Sequence, residues 1–194
     1  MKVYIGEGPS QHIFLIPKCE IDKRPSLSDP KIGCIQPMDD GTTRLDLPCF
    51  REFSPERFGL VAEFLSTGKF GHPSVNPQNR DRYLEQCIQA WMIADRMVLE
   101  DLLDLVVVKI QETRPWTLQE VMPLAGMVYE EEGSALQAYT TMKEMTAEAV
   151  ADNFQAVALE YREVFWRSFN ELPELQRDVY RLLLERAERK ISEG

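Results

Sequence analysis

The sequence predicts an α+β fold, in which a small sheet with flanking helices is followed by a bundle built of helices alone. Three observations lead to this prediction. Short β-rich runs occur only in the first quarter of the chain, helical spacing of apolar residues dominates afterwards, and beyond Arg114-Pro115 it is the sole pattern. We place a boundary there, which gives a mixed domain at 1–114 and a helical extension at 115–194.

Three short runs predict the strands. Residues 3–5 and 12–16 are rich in β-branched and aromatic side chains and flank a Gly/Pro cluster, which is typical of a β-hairpin. Residues 45–47 alternate like a third strand, which ends at Pro48. The intervening residues 22–44 are rich in Pro, Asp, Gly and Ser, so we expect a loop with at most a short helix.

Caps and apolar faces predict the helices of the first part. Ser54 is a candidate N-cap, Pro55 suits the first helical position, and Gly68 is placed to close the helix. An apolar face that begins at Tyr83 indicates a long second helix. A third helix at about 101–111 is apolar nearly all round, which predicts deep burial.

The extension is predicted to be four amphipathic helices joined by short loops, a small bundle. Capping-box patterns begin at Thr117 and at Ser134. The predicted spans are 118–131, 135–150, 153–169 and a last helix that opens at Pro173.

Composition restricts the classes of partner. The formal net charge is -10, from 32 acidic and 22 basic side chains. Such a surface disfavours nucleic acid and anionic membranes, because both are bound through Lys and Arg that neutralise phosphates. The chain shows neither a signal-peptide pattern nor an apolar run long enough to span a bilayer. We therefore expect a soluble intracellular protein, in the cytoplasm, the nucleus or both.

The four cysteines carry no metal-site or disulfide signal. Cys19, Cys34, Cys49 and Cys87 lack the two-residue spacing usual for zinc, and the chain has two histidines. Cys87 falls on a helical apolar face, where a cysteine behaves as a small buried hydrophobe. We expect reduced structural thiols and predict no metal and no cofactor.

The order of these elements resembles a BTB/POZ domain, especially the divergent fungal type. Residues 3–6 and 12–18 resemble the family's opening hairpin, and residues 45–48 its third strand. Residues 61–70, with Thr-Gly and a basic residue near their end, look like the following helix. Residues 91–97, with an Ala-Asp dipeptide, are similar to the family's helix pair. The rest looks like the helical tail of many fungal BTB proteins.

The resemblance implies a non-catalytic scaffold that binds partner proteins. Two departures bear on its usual homodimer. Val3 already begins the first strand, so the helix that carries the dimer interface is expected to be missing. The helices usual between the second and third strands are eroded into the Pro-rich residues 25–44. Both features argue against the usual BTB homodimer.

A second function implied by the resemblance is an adaptor for a cullin-type ubiquitin ligase. Met38-Asp39-Asp40 occupies the place of the family's hydrophobic-x-Glu motif, and Met97 stands where adaptors often have Tyr. The alternatives are that Met38 is an ordinary loop residue and Met97 ordinary core. Trp166 falls off the main apolar stripe of its helix, so it is either an exposed anchor for a partner or packed on a neighbouring helix.

An enzyme of unknown class is the third hypothesis. Nucleophilic catalysis needs a Ser or Cys beside a base, and the chain has no Gly-x-Ser-x-Gly elbow. We assign no catalytic residue. A pocket in which titratable groups converge would favour this hypothesis.

Overall fold

The computed structural model describes residues 1–6, 11–47, 55–70, 75–130, 136–160 and 162–193. The chain forms two compact units, Met1–Glu112 and Thr113–Gly194. Within the described residues, the first unit holds a four-stranded sheet with helices and the second holds helices alone. The predicted α+β class is confirmed.

The sheet is mixed, with the strand order β2-β1-β4-β3. Its strands are β1 (Lys2–Ile5), β2 (His12–Leu15), β3 (Cys34–Pro37) and β4 (Thr43–Asp46). Strand β1 pairs antiparallel with β2, which confirms the predicted hairpin. It pairs parallel with β4, the strand predicted at 45–47, and β4 pairs antiparallel with β3.

The prediction of a loop across residues 22–44 is wrong in part. The chain forms a short helix α1 (Lys18–Asp22), a 3-10 helix (Pro25–Ser28) and strand β3. Strand β3 has a single β-branched residue, Ile35, so local propensity does not mark it. Pairing with β4 creates this strand, since a sheet is stabilised by cross-strand contacts more than by intrinsic preference.

One face of the sheet packs on helix α2 (Pro55–Thr67). Val3 and Leu45 lie opposite each other on this face and are fully buried. The Phe14 ring lies 5.2 Å from the ring of Phe58, which α2 supplies. Gly68 ends the helix with φ of +68°, as predicted for a closing glycine, whereas Ser54 lies outside the described residues.

Helices α3 (Arg80–Arg96) and α4 (Glu100–Gln111) form the predicted pair. The turn between them passes through Val98, a β-branched residue with φ of +54°. Trp91 from α3 and Leu102 from α4 are buried to 1% and 0% exposure. The deep burial predicted from the apolar pattern is confirmed for one face of α4, whereas its other face is exposed, with Val108 at 52%.

The second unit consists, in its described part, of α5 (Leu118–Tyr129), α6 (Gln137–Glu160), α7 (Arg162–Asn170) and α8 (Pro173–Ser192). The capping box at the start of α5 is confirmed. The Thr117 amide donates to the Glu120 carboxylate at 2.7 Å, and the Thr117 hydroxyl donates to the same oxygen at 2.8 Å. The second predicted box, at Ser134, lies outside the described residues.

The predicted break between helices near residues 150–153 is wrong, because α6 continues to Glu160. The prediction places one helix at 135–150 and the next at 153–169. In the helix the Asn153 amide donates to the Ala149 carbonyl at 2.9 Å. Asp152 accepts from Arg186 of α8 at 2.6 Å. Both polar side chains therefore find partners without ending the helix.

Candidate interaction surface

The sheet face opposite α2 is open to solvent. We call it the open sheet face and define it by the side chains that alternate away from the core. These are Lys2, Tyr4, Ile13, Leu15, Cys34, Gln36, Arg44 and Asp46. Leu15 is 73% exposed and Ile13 is 46% exposed, although both stand on strand β2 beside a fully paired strand. Apolar side chains held this rigidly in water are typical of a surface that binds another molecule.

The charges of the open sheet face are paired within the face. Arg44 donates to both oxygens of Asp46 at 2.7 Å, and its guanidinium stacks 4.1 Å from the centroid of the Tyr4 ring. The hydrogen bonds that Arg44 donates to Asp46 raise the pKa of Arg44 above its ordinary value. The guanidinium therefore stays charged, and two of its five N–H donors are used by Asp46. Tyr and Arg are also the residue types over-represented among interface hot spots.

At the rim of this face, Lys2 donates to Asp40 at 2.6 Å. This hydrogen bond, and a second one from the Thr42 hydroxyl, hold the pKa of Asp40 well below its usual range. The two groups stand on β1 and on the turn between β3 and β4. The pair thus fixes the turn to the edge of the open sheet face.

Met38, Asp39 and Asp40 lie in that turn, between β3 and β4. The Met38 amide donates to the Thr42 carbonyl at 2.9 Å, which closes the hairpin between β3 and β4. Asp39 and Asp40 are exposed and Met38 is half-buried. A partner that covers the open sheet face could reach all three. Whether one does so stays a prediction.

Met97 is not part of this surface. It caps the end of α3, where its amide donates to the Ile93 carbonyl, and its side chain has no exposed area. The hypothesis of partner contact through Met97 is therefore corrected, and the alternative that it is core holds. The physical reason is that Met97 ends α3 at the tight turn through Val98, where its side chain is fully buried.

Trp166 belongs to an aromatic cluster in the second unit. Its ring lies 5.2 Å from Phe165, 5.9 Å from Phe169 and 6.0 Å from Phe154. It is half-buried. These edge-to-face contacts within and between α6 and α7 favour packing on a neighbouring helix over a free anchor.

A cleft of about 430 Å³ lies between α6 and α8. Two of its cations form ion pairs: Arg181 contacts Asp178 within the lining at 3.8 Å, and Lys143 contacts Glu174 outside the lining at 3.1 Å. The Tyr129 hydroxyl donates to Asp178 at 2.9 Å, and burial raises the pKa of that tyrosine. The side chains that line the cleft include Thr140 and Lys143 but, among the described residues, no Cys, His or Ser.

The cysteines of the described residues are Cys19, Cys34 and Cys87, and none of them forms a disulfide with another. Cys87 is fully buried, and burial raises the pKa of its thiol to about 12. Cys19 and Cys34 are free and exposed, and Cys49 lies outside the described residues. In the part of the chain that the structure describes, no group of three or more His, Cys, Asp or Glu side chains could hold a metal ion.

Sequence reasoning missed the open sheet face. Residues 12–15 read His-Ile-Phe-Leu, a run without polar alternation, so nothing in it distinguishes the side of the half-buried Phe14 from the side of the exposed Ile13 and Leu15. A signal was present in residues 43–46, Thr-Arg-Leu-Asp, where Arg44 and Asp46 alternate with the core residue Leu45.

No protein-family model matches the chain, and comparisons with curated proteins and with solved structures find no match either. Among the helices of the described residues, none combines the length and the apolar character needed to cross a bilayer.

Proposed function

We propose that this chain is a non-catalytic intracellular scaffold whose first unit is a divergent, fungal-type BTB/POZ-like domain that binds a partner protein. The open sheet face is the observation that carries the proposal. It presents Ile13 and Leu15 to solvent beside Tyr4 and Arg44, in a rigid arrangement. Exposed apolar side chains surrounded by polar groups are typical of protein-interaction sites.

The order of elements supports the BTB/POZ-like assignment. A hairpin opens the unit, short helical turns follow, β4 returns parallel to β1, and α2 then leads to the pair α3 and α4. This is the order on which the resemblance rests. Strand β3 is a departure, since it occupies the Pro-rich segment where the family has helices.

The pairing of charges supports a protein as the partner rather than a polyanion. Arg44 is engaged by Asp46, and Lys2 by Asp40. A phosphate backbone needs cations whose donors are available for its oxygens. A protein surface, in contrast, gains from covering the apolar side chains while the internal ion pairs remain at the rim.

The test compares two variants that remove exposed apolar groups from different surfaces of the same unit. The double variant Ile13→Ser/Leu15→Ser alters the open sheet face, and Val108→Ser alters an exposed position of α4 that is 52% accessible. We expect proteins crosslinked to the wild type in a fungal cell lysate to be retained by Val108→Ser and lost by the double variant. Equal recovery by all three folded proteins, as judged by circular dichroism, would contradict the proposal.

A cullin-type ligase scaffold is the second candidate partner. The accessibility of Met38, Asp39 and Asp40 in the β3–β4 turn favours it. The test is size-exclusion chromatography with light scattering on the protein mixed with a BTB-binding cullin N-terminal domain. Co-elution that Met38→Asp abolishes would support the adaptor function. Separate elution at micromolar concentration would refute stable cullin binding and leave the general scaffold proposal intact.

A further inference from the structure

Helix α8 carries an exposed apolar stripe on its second half. Tyr180, Leu184, Ala187 and Ile191 follow one another at spacings of four, three and four residues. Leu184 is 65% exposed, Ile191 is 81% exposed and Tyr180 is 44% exposed. This spacing is the a/d pattern of a coiled-coil seam, in which each side chain packs between side chains of a facing helix.

The second unit holds α8 through a different face of the helix. Leu175 and Val179 are fully buried, and Arg186 pairs with Asp152 of α6 at 2.6 Å. At 100° per residue these positions lie on the side of the helix roughly opposite to Leu184 and Ile191. Leu184, Ala187 and Ile191 are therefore not needed for the internal packing of the unit. The first residue of the stripe, Tyr180, packs partly inside the unit, through ring contacts of about 6 Å with Phe154 and Phe169.

The charges beside the stripe match those of a second copy in one orientation. Arg181 and Glu188 each follow a d position, Tyr180 and Ala187, and so occupy e positions. In an antiparallel pair of helices, e positions face e positions, so Arg181 of each chain meets Glu188 of the other, twice by symmetry. A parallel pair would instead place Leu183 opposite Glu188. Arg181 is accessible for such contacts, since its side chain is 59% exposed and its carboxylate contacts within the chain are long, at 3.6 and 3.8 Å.

We propose that the second half of α8 is a self-association surface, which pairs antiparallel with the same segment of a second copy of this chain. Leu184 packs against Ala187 of the partner, Tyr180 packs against Ile191, and two Arg181–Glu188 ion pairs flank this seam. The contact covers about two heptads, so the dimer is weak and forms with rising protein concentration. This surface is independent of the open sheet face and of the helix used by the usual BTB homodimer.

Sedimentation equilibrium of the full chain, over a range of about 10 to about 500 µM, tests the association. We expect the average mass of the wild type to rise towards that of a dimer. The variant Leu184→Glu should need a concentration at least about tenfold higher than the wild type to associate, because both copies lose an apolar group that the dimer would bury. The variant Val108→Glu, which changes an equally apolar exposed residue of α4, should associate like the wild type. A wild type that stays monomeric, or loss of association in both variants, would overturn the proposal.

Charge reversal tests the antiparallel orientation. Arg181→Glu and Glu188→Arg should each weaken self-association, since each places two like charges opposite one another. An equimolar mixture of the two variants restores both ion pairs in the heterodimer and should associate at least as well as the wild type. Arg189→Glu, at a position pointing away from the seam, is the matched control. A mixture that associates no better than the single variants, with helicity unchanged, would refute the antiparallel seam.

Discussion

Adding one methyl group at Gly33 tests how the sheet packs on the segment that precedes it. A Cβ atom at this position would lie 2.8 Å from the Leu27 carbonyl oxygen and 2.8 Å from the nearest methyl carbon of Leu45. Leu27 and Leu45 are both fully buried, and the oxygen belongs to the backbone of the 3-10 helix, so it cannot rotate away. We expect Gly33→Ala to lower the free energy of unfolding by about 1–3 kcal/mol, the usual cost of overpacking a core.

The same substitution at Gly59 is the matched control. Gly59 lies inside α2, and a Cβ atom there would meet nothing within 4 Å. Alanine is favoured over glycine in a helix interior by roughly 0.8–1 kcal/mol, so Gly59→Ala should stabilise the protein. The two variants add the same atoms to the same unit and should shift stability in opposite directions.

Urea denaturation followed by circular dichroism measures both effects as shifts of the transition midpoint. Hydrogen exchange of the strand amides then locates the change, because Gly33→Ala should weaken protection in β3 and β4. A Gly33→Ala protein as stable as the wild type would refute the close packing of Gly33 against Leu27. A destabilised Gly59→Ala protein would refute the open environment of α2 at that position.

Two further predictions concern buried groups. Burial raises the pKa of Cys87, so the folded thiol keeps its proton after the unfolded one loses it, and the free energy of unfolding should fall as pH rises above about 8.5. Urea denaturation at pH 7 to 10 should show that the free energy of unfolding falls less steeply with pH for Cys87→Ala than for the wild type. Equal slopes for the two proteins would contradict this. Trp116 donates to the Thr113 hydroxyl at 2.8 Å in a buried pair, so Thr113→Val should cost about 1–3 kcal/mol in urea denaturation, and a neutral effect would contradict it.

The sequence predicted those parts of the fold whose signals are local. The capping box of Thr117 and Glu120, the closing glycine Gly68 and the hairpin of β1 and β2 are set by residues close together in the chain. The apolar pattern of residues 101–111 predicted a buried helix, and one face of α4 is buried, although Val108 on its other face is exposed. The signals for such features lie in residues close together in the chain, so a pattern is enough to find them.

The candidate site was predicted less well, because it depends on contacts between distant residues. Met38, Asp39 and Asp40 lie beside the open sheet face, but the contact that fixes them there joins Asp40 to Lys2, 38 positions away. Met97 resembled an interface residue by its place in a motif, yet its turn directs it into the core. A motif identifies a residue type at a position and does not determine which way its side chain points.

By itself the sequence determined the α+β class, the helical character of the second part and the acidic balance of the chain, a formal net charge of -10. The tertiary structure alone decided that residues 34–37 form a strand, that α6 continues through Asp152 and Asn153, and that Ile13 and Leu15 face solvent. The physical reason is the same in each case. Strand pairing, the Asp152–Arg186 ion pair and the choice of sheet face all depend on contacts between segments far apart in the chain. No local sequence pattern therefore predicts them.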